Sequence, residues 1–91
     1  MYMKLNFSNP SRSYDENHQR VRFWGYDKAL EVAFFVEMGA LKKLCPKMQA
    51  DEDGYLNAFD ASLKQIHRAA EKIHQHDGKG TYSYVLTADE F

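Results

Sequence analysis

Two runs of alternating residues, split by a short break, constrain this chain most: Arg20-Val21-Arg22-Phe23-Trp24-Gly25-Tyr26 and Leu30-Glu31-Val32-Ala33-Phe34-Phe35-Val36. A strand sends successive side chains to opposite faces. Val21 and Phe23 therefore share one face, and Arg20, Arg22, Trp24 and Tyr26 share the other. In the second run Leu30, Val32, Phe34 and Val36 fall on one side, with Glu31, Ala33, Phe35 and Glu37 opposite. The break, Gly25-Tyr26-Asp27-Lys28-Ala29, is short enough for an antiparallel hairpin, and Gly25 suits a bulge or tight turn. Strands are predicted over 18–26 and 30–37. One face of this hairpin is apolar and belongs to a core; the other is aromatic and basic, richer in rings than solvent contact requires.

The rest of the chain can be arranged around that hairpin. Met3, Leu5 and Phe7 alternate with polar residues until Ser8-Asn9-Pro10-Ser11, which predicts an N-terminal edge strand followed by a loop through residue 17. Residues 38–45 read as a short helix carrying Leu41, Leu44 and Cys45 inward, ended by Pro46, which cannot continue a helix. Leu56, Phe59, Leu63, Ile66, Ala70 and Ile73 recur at spacings of three and four, which lines one apolar stripe along a single long helix. Asp51, Glu52 and Asp53 at its start and Lys72, His74 and His76 near its end complement the helix dipole, and Asp77-Gly78 offers a glycine stop. Thr81-Tyr82-Ser83-Tyr84-Val85-Leu86-Thr87 is β-branched and aromatic and predicts a last strand. The expected fold is α+β: a small antiparallel or mixed sheet of about four strands, with one short and one long helix packed on one face, in β-β-β-α-α-β order.

A chain of 91 residues has room for one domain, 1–91, and one modest core. A formal charge of −1 argues against coating nucleic acid or anionic membrane by bulk electrostatics, so any such contact must be local. Cys45 is the single cysteine and cannot form an intrachain disulfide. The N-terminus lacks the basic segment and long apolar run of a secretion signal, and no apolar stretch approaches the ~20 residues that span a bilayer. A cytoplasmic protein with no membrane association is expected.

Several segments in a fixed order resemble a known family: Asn9-Pro10-Ser11-Arg12-Ser13-Tyr14-Asp15, Val21-Arg22-Phe23-Trp24-Gly25-Tyr26-Asp27, Glu31-Val32-Ala33-Phe34-Phe35-Val36, and Ala58-Phe59-Asp60 with the helix after it. Together they look like a small bacterial family catalogued as a domain of unknown function, the 1488 family. The resemblance covers nearly the whole chain. It implies a compact, single-domain, bacterial cytoplasmic protein, and it implies nothing chemical because the family brings no established activity or site.

His67, Glu71 and His74 fall at i, i+4 and i+7, a permissive ligand spacing for zinc or a similar metal, though polar residues flank an apolar helix stripe for solvation anyway. Residues 49–60 partly imitate a calcium loop, but Gln49 and Asp60 stand at its first and last ligand places and an acidic helix start explains the rest. Cys45 reads as a core residue rather than a nucleophile. No phosphate loop, nucleophile elbow or paired-cysteine motif is present, so no enzyme activity and no cofactor is expected.

The aromatic-basic face remains as an interaction surface made of Arg20, Arg22, Trp24, Tyr26 and Phe35. The first reading is a non-catalytic accessory or regulatory module that meets a protein partner or self-associates through this face. In the plainest form of that reading, the 8–17 loop or a second copy covers the rings, and Arg20 and Arg22 pair with Glu31 and Glu37. The alternative is a single-stranded nucleic acid, with bases stacked on the rings and Lys4, Arg12, Arg20 and Arg22 on phosphates beside Trp24.

Overall fold

The computed structural model describes residues 5–77 and 82–91. Strands β1 (Arg12–Asp15), β2 (Arg20–Asp27), β3 (Leu30–Glu37) and β4 (Ser83–Leu86) form one open mixed sheet in the order β1-β2-β3-β4. The first two pairings are antiparallel and β3 runs parallel to β4. Parallel neighbours require a long crossover, and here it holds the helices α1 (Met38–Leu44), α2 (Glu52–Ala61) and α3 (Leu63–Asp77). A short 3-10 turn over Ala88–Glu90 follows β4. The architecture is thus the expected α+β layer of helices on one sheet face.

The hairpin register runs from Arg20↔Glu37 to Asp27↔Leu30, so Lys28 and Ala29 alone make the connection. Lys28 has a φ of 59°, the sign a type II′ turn requires at its first central position. Gly25 lies inside β2 and not in the turn, which corrects the expected break. Its missing side chain makes room for Phe7, whose Cε1 would stand only 2.9 Å from an added Cβ.

The edge beside β2 also departs from expectation. The expected strand around Leu5 and Phe7 is reduced to one antiparallel bridge, Asn6↔Tyr26, with Asn6 N–H donating to the Tyr26 carbonyl at 2.9 Å and Tyr26 N–H donating back at 2.8 Å. The next pairing on this edge is Arg12↔Phe23, six residues further along it but only three back along β2. The difference is looped out around Pro10, which has no N–H to give a ladder, and Asn9 Oδ1 accepts from Ser11 N–H at 3.0 Å to turn the chain back. The segment expected to be loop therefore supplies β1. Lys4, and the stretch 78–81 with its glycine stop, lie outside the described residues.

The single long helix is broken at Ser62. The helical hydrogen bonding continues through it, since Ser62 N–H donates to the Ala58 and Phe59 carbonyls and Ile66 N–H to Ser62. The backbone nevertheless opens there to φ −111° and ψ 20°. Serine competes with the helix for hydrogen bonds, which favours such a bend. The bend turns Ser62 inward, 3% exposed, and pushes Leu63 outward, 38% exposed.

Val21, Phe23, Val32, Phe34 and Val36 from the hairpin meet Leu41, Phe59, Ile66 and Ala70 from the helices, closed by Tyr84 and Leu86. Phe34 is fully buried and stacks on Phe23 at 5.1 Å and on Tyr84 at 5.5 Å. This packing fixes which face of β2 and β3 is covered, and so which face is left open.

Candidate functional site

Because Val21, Phe23, Val32, Phe34 and Val36 are taken by the core, strand alternation puts Arg20, Arg22, Trp24, Tyr26, Ala33 and Phe35 on the face opposite the helices. The register groups them in rows: Arg20 beside Glu37, Arg22 beside Phe35, Trp24 beside Ala33, and Tyr26 beside Glu31. From β4, Val85 extends the Phe35 row and Ser83 the Ala33 row. Trp24, Tyr26 and Phe35 are half-buried, while Arg22 and Val85 are exposed. All five proposed surface residues are therefore brought together, and Val85, which sequence reasoning missed, joins them.

The rings carry cations. The Arg20 guanidinium lies over Phe35 at 4.0 Å, and that of Arg22 lies 5.0 Å from Trp24 and 5.7 Å from Phe35. A guanidinium over an aromatic face is attracted by the ring quadrupole and keeps its edge donors available. The charge pairing differs from expectation: Arg20 Nε donates to Asp15 at 3.1 Å rather than meeting Glu31 or Glu37. Arg22 has no carboxylate partner among the described residues. Burial pushes the Asp15 carboxyl upward, but Arg20 and His18 outweigh it and hold it below its ordinary value. Tyr26 reaches Glu31 at 3.5 Å.

Arg12 does not belong to this face. Its partner across the ladder is Phe23, so it points to the helix side, where Nε and Nη2 donate to both Asp60 oxygens at 2.9 and 2.8 Å. That corrects its assignment as a phosphate contact beside Trp24. Lys4, the other outlying cation of that set, lies outside the described residues.

The helix side holds the remaining candidates, and it does not assemble His67, Glu71 and His74. His67 is half-buried and stacks on Phe7 at 3.9 Å with a 5° interplanar angle. His74 is 2% exposed and uses both ring nitrogens, Nδ1 with the Tyr84 hydroxyl at 2.9 Å and Nε2 with Asp27 at 3.0 Å. Among the described residues no three His, Cys, Asp or Glu side chains converge as a metal site requires. Asp51 accepts from Gly54 N–H at 2.7 Å and caps α2, which accounts for the acidic stretch taken from the calcium-like loop. Cys45 packs against the core, 3.5 Å from the Ser62 hydroxyl. A cavity of about 110 Å³ beside His67 is floored by Phe7, Phe23, Phe59 and Leu63, well below the ~300 Å³ at which small-molecule sites begin. The His74–Asp27–Tyr84 connection had no local signal, because its members are 47 and 10 residues apart.

His67 gives one measurable consequence. Burial pushes its imidazole below the ordinary value of 6.5, and Glu71 opposes the shift. The unfolded chain then takes up this proton first, so the stability His67 contributes is complete above about 6.5 and is lost as pH falls through its lowered folded value. His67→Phe keeps a ring against Phe7 and removes the titration. Thermal melts between about pH 7.5 and pH 5.5 should decline less steeply for the variant; parallel profiles would show that His67 carries no such linkage.

No helix among the described residues is long and apolar enough to cross a membrane. No curated protein matches the chain in sequence. The fold is shared with a crystal structure of a protein of unknown function from the DUF1488 family of Shewanella loihica PV-4, with a TM-score of 0.77, 16% identity and coverage of 94% of each chain. The model of the family described as "Protein of unknown function (DUF1488)" matches residues 5–86, from the start of the described chain to the end of β4. The chain therefore belongs to the DUF1488 family.

Proposed function

We propose that this protein is a non-catalytic interaction module, accessory or regulatory in role, that binds a protein through the open face of its sheet. The observation that carries the reading is the cluster in which two guanidinium groups lie over Trp24 and Phe35 with Val85 beside them. Flat rings bury area at small entropic cost, and Arg22 retains donors for a carboxylate or carbonyl on the partner. The same geometry favours protein over a single nucleic-acid strand. Arg20 and Arg22 share the face with Asp15, Glu31 and Glu37, so it carries no net positive charge.

The test is a double substitution, Arg22→Ala with Trp24→Ala, which touches no core residue. The wild type is expected to retain a protein partner, whether another chain or its own copy, in affinity capture and in solution mass. The double variant should lose it by tenfold or more, with its melting temperature within a few degrees. Equal capture by both proteins removes the reading. Titrating short single strands at low salt should leave Trp24 emission unchanged; salt-reversible quenching would favour nucleic acid instead.

A further inference from the structure

The pairing of β2 with β3 makes the open face complementary to itself, and we propose that its occupant is a second copy of this chain, related by a two-fold axis running parallel to β2 and β3 and midway between them. The inference rests on the interaction reading above and names its partner. A rotation about that axis lays β2 of one copy over β3 of the other with the position along the strand unchanged. Each residue then faces the residue that is its own cross-strand neighbour: Arg20 meets Glu37, Arg22 meets Phe35, Trp24 meets Ala33, and Tyr26 meets Glu31. Every contact joins opposites, with cation on anion, guanidinium on ring, the largest side chain on one of the smallest, and hydroxyl on carboxylate. The flanking strands agree, since β1 passes over β4 and sets Ser13 against Val85.

The alternative in-plane axis, perpendicular to the strands, fails on the same residues. Centred on the Trp24 row it sets Trp24 on Trp24 and Ala33 on Ala33, bulk against bulk beside a gap, and centred between the Arg22 and Trp24 rows it lays Glu31 on Glu37, like charge on like. Isologous contacts must be self-complementary, and only the axis along the strands meets that demand in charge and in size. Twist turns stacked sheets by about 30°, so the match is best in the central rows, where Arg22, Phe35, Trp24 and Ala33 stand.

Four strands about 4.8 Å apart, with rows spanning roughly 20 Å, present on the order of 400 Å² per copy. The total of about 800 Å² is below that of stable specific interfaces, so the dimer should be weak and reversible, with a Kd of roughly 100 μM.

Sedimentation from about 10 μM to about 1 mM tests this directly. The wild type should pass from monomer to dimer. Arg20→Glu and Glu37→Arg, each alone, should weaken association by tenfold or more, because like charges then face each other across the axis. An equimolar mixture of the two should restore it: the introduced glutamate of one copy meets the introduced arginine of the other, and the unaltered Glu37 and Arg20 meet at the second contact. Glu37 makes no side-chain cap to α1, so its replacement removes none. Because Arg20→Glu also loses the Asp15 pair, a neutral set, Trp24→Ala with Ala33→Trp, repeats the logic through size: weak alone, restored when mixed. A wild type that stays monomeric at about 1 mM, or mixtures no stronger than their components, would overturn the self-pairing. If such a monomer still holds another protein that the Arg22→Ala and Trp24→Ala variant loses, the interaction reading survives; if it holds nothing, both fall.

Discussion

Replacing His74 with alanine is expected to cost about 3–5 kcal/mol, among the largest losses any single side chain of this protein would produce. The imidazole is almost fully buried and its two nitrogens join elements distant in sequence. With the Asp27 carboxylate as acceptor, Nε2 carries the hydrogen it donates, and in the neutral ring Nδ1 accepts from the Tyr84 hydroxyl. One side chain on α3 thus fastens the turn end of β2 to β4, on either side of β3. Alanine leaves a ring-sized void and leaves Asp27, 14% exposed at its side chain, facing it. For a domain of this size, stable by roughly 5–10 kcal/mol, the loss lowers the melting temperature by roughly 15–30 °C. Two milder variants separate the causes. His74→Phe refills the volume without the hydrogen bonds and should cost about half as much, and Asp27→Asn keeps a neutral acceptor and should cost about 1 kcal/mol. Denaturant melts of the three decide it, and a His74→Ala protein melting within a few degrees of wild type would show that the network is not structural.

The consequence reaches the open face. Asp27 closes the hairpin against Leu30, and the register of that hairpin decides which residues stand beside Trp24 and Phe35. A one-residue slip would send the arginines and rings to the helix side. The buried histidine and the exposed tryptophan are therefore linked through register, although they lie on opposite faces of the sheet.

What the sequence made legible follows the range of each signal. Alternation acts between next neighbours, so the hairpin and the sorting of Arg20, Arg22, Trp24, Tyr26 and Phe35 onto one face could be read directly, and the structure places them there. The edge strand could not. Tyr14 and Arg12 are held on β1 by α2, through the Tyr55 ring and an exposed ion pair with Asp60, and nothing near residue 12 announces α2. Helical spacing survived the bend at Ser62 only in part, because Leu63 continued a periodic pattern that the backbone had left. The permissive, ligand-like spacing of His67, Glu71 and His74 forms no cluster for a similar reason: it records one helix flank, while the partners of each ring come from Phe7, Asp27 and Tyr84. Pairing of charges was the least readable, since Arg20 had two carboxylates within reach by register, Asp15 and Glu37, and took Asp15.

Gly54→Ala sets two physical effects against each other, and their sizes decide the sign. Gly54 lies in the first turn of α2, and helix propensity alone would credit alanine with about 1 kcal/mol. Yet a Cβ there collides with the backbone carbonyl of Gln49 and comes within 3.0 Å of the Asp51 carboxylate. A backbone carbonyl cannot rotate away as a side-chain end could, so the segment from Gln49 to Asp51 must move. That movement breaks the 2.7 Å bond from Gly54 N–H to Asp51 and with it the helix cap, a loss of about 1 kcal/mol beyond about 1–3 kcal/mol of overpacking. The net expectation is a destabilisation of about 1–3 kcal/mol, or roughly 5–20 °C in melting temperature. Asp51→Ala removes the cap without the collision and should cost only about 1 kcal/mol. If Gly54→Ala proved neutral or stabilising, the contact between α2 and the turn before it would be looser than its geometry states, and Tyr55 and Phe59, which that contact seats in the core, would lose their fixed position against Tyr14 and Phe23.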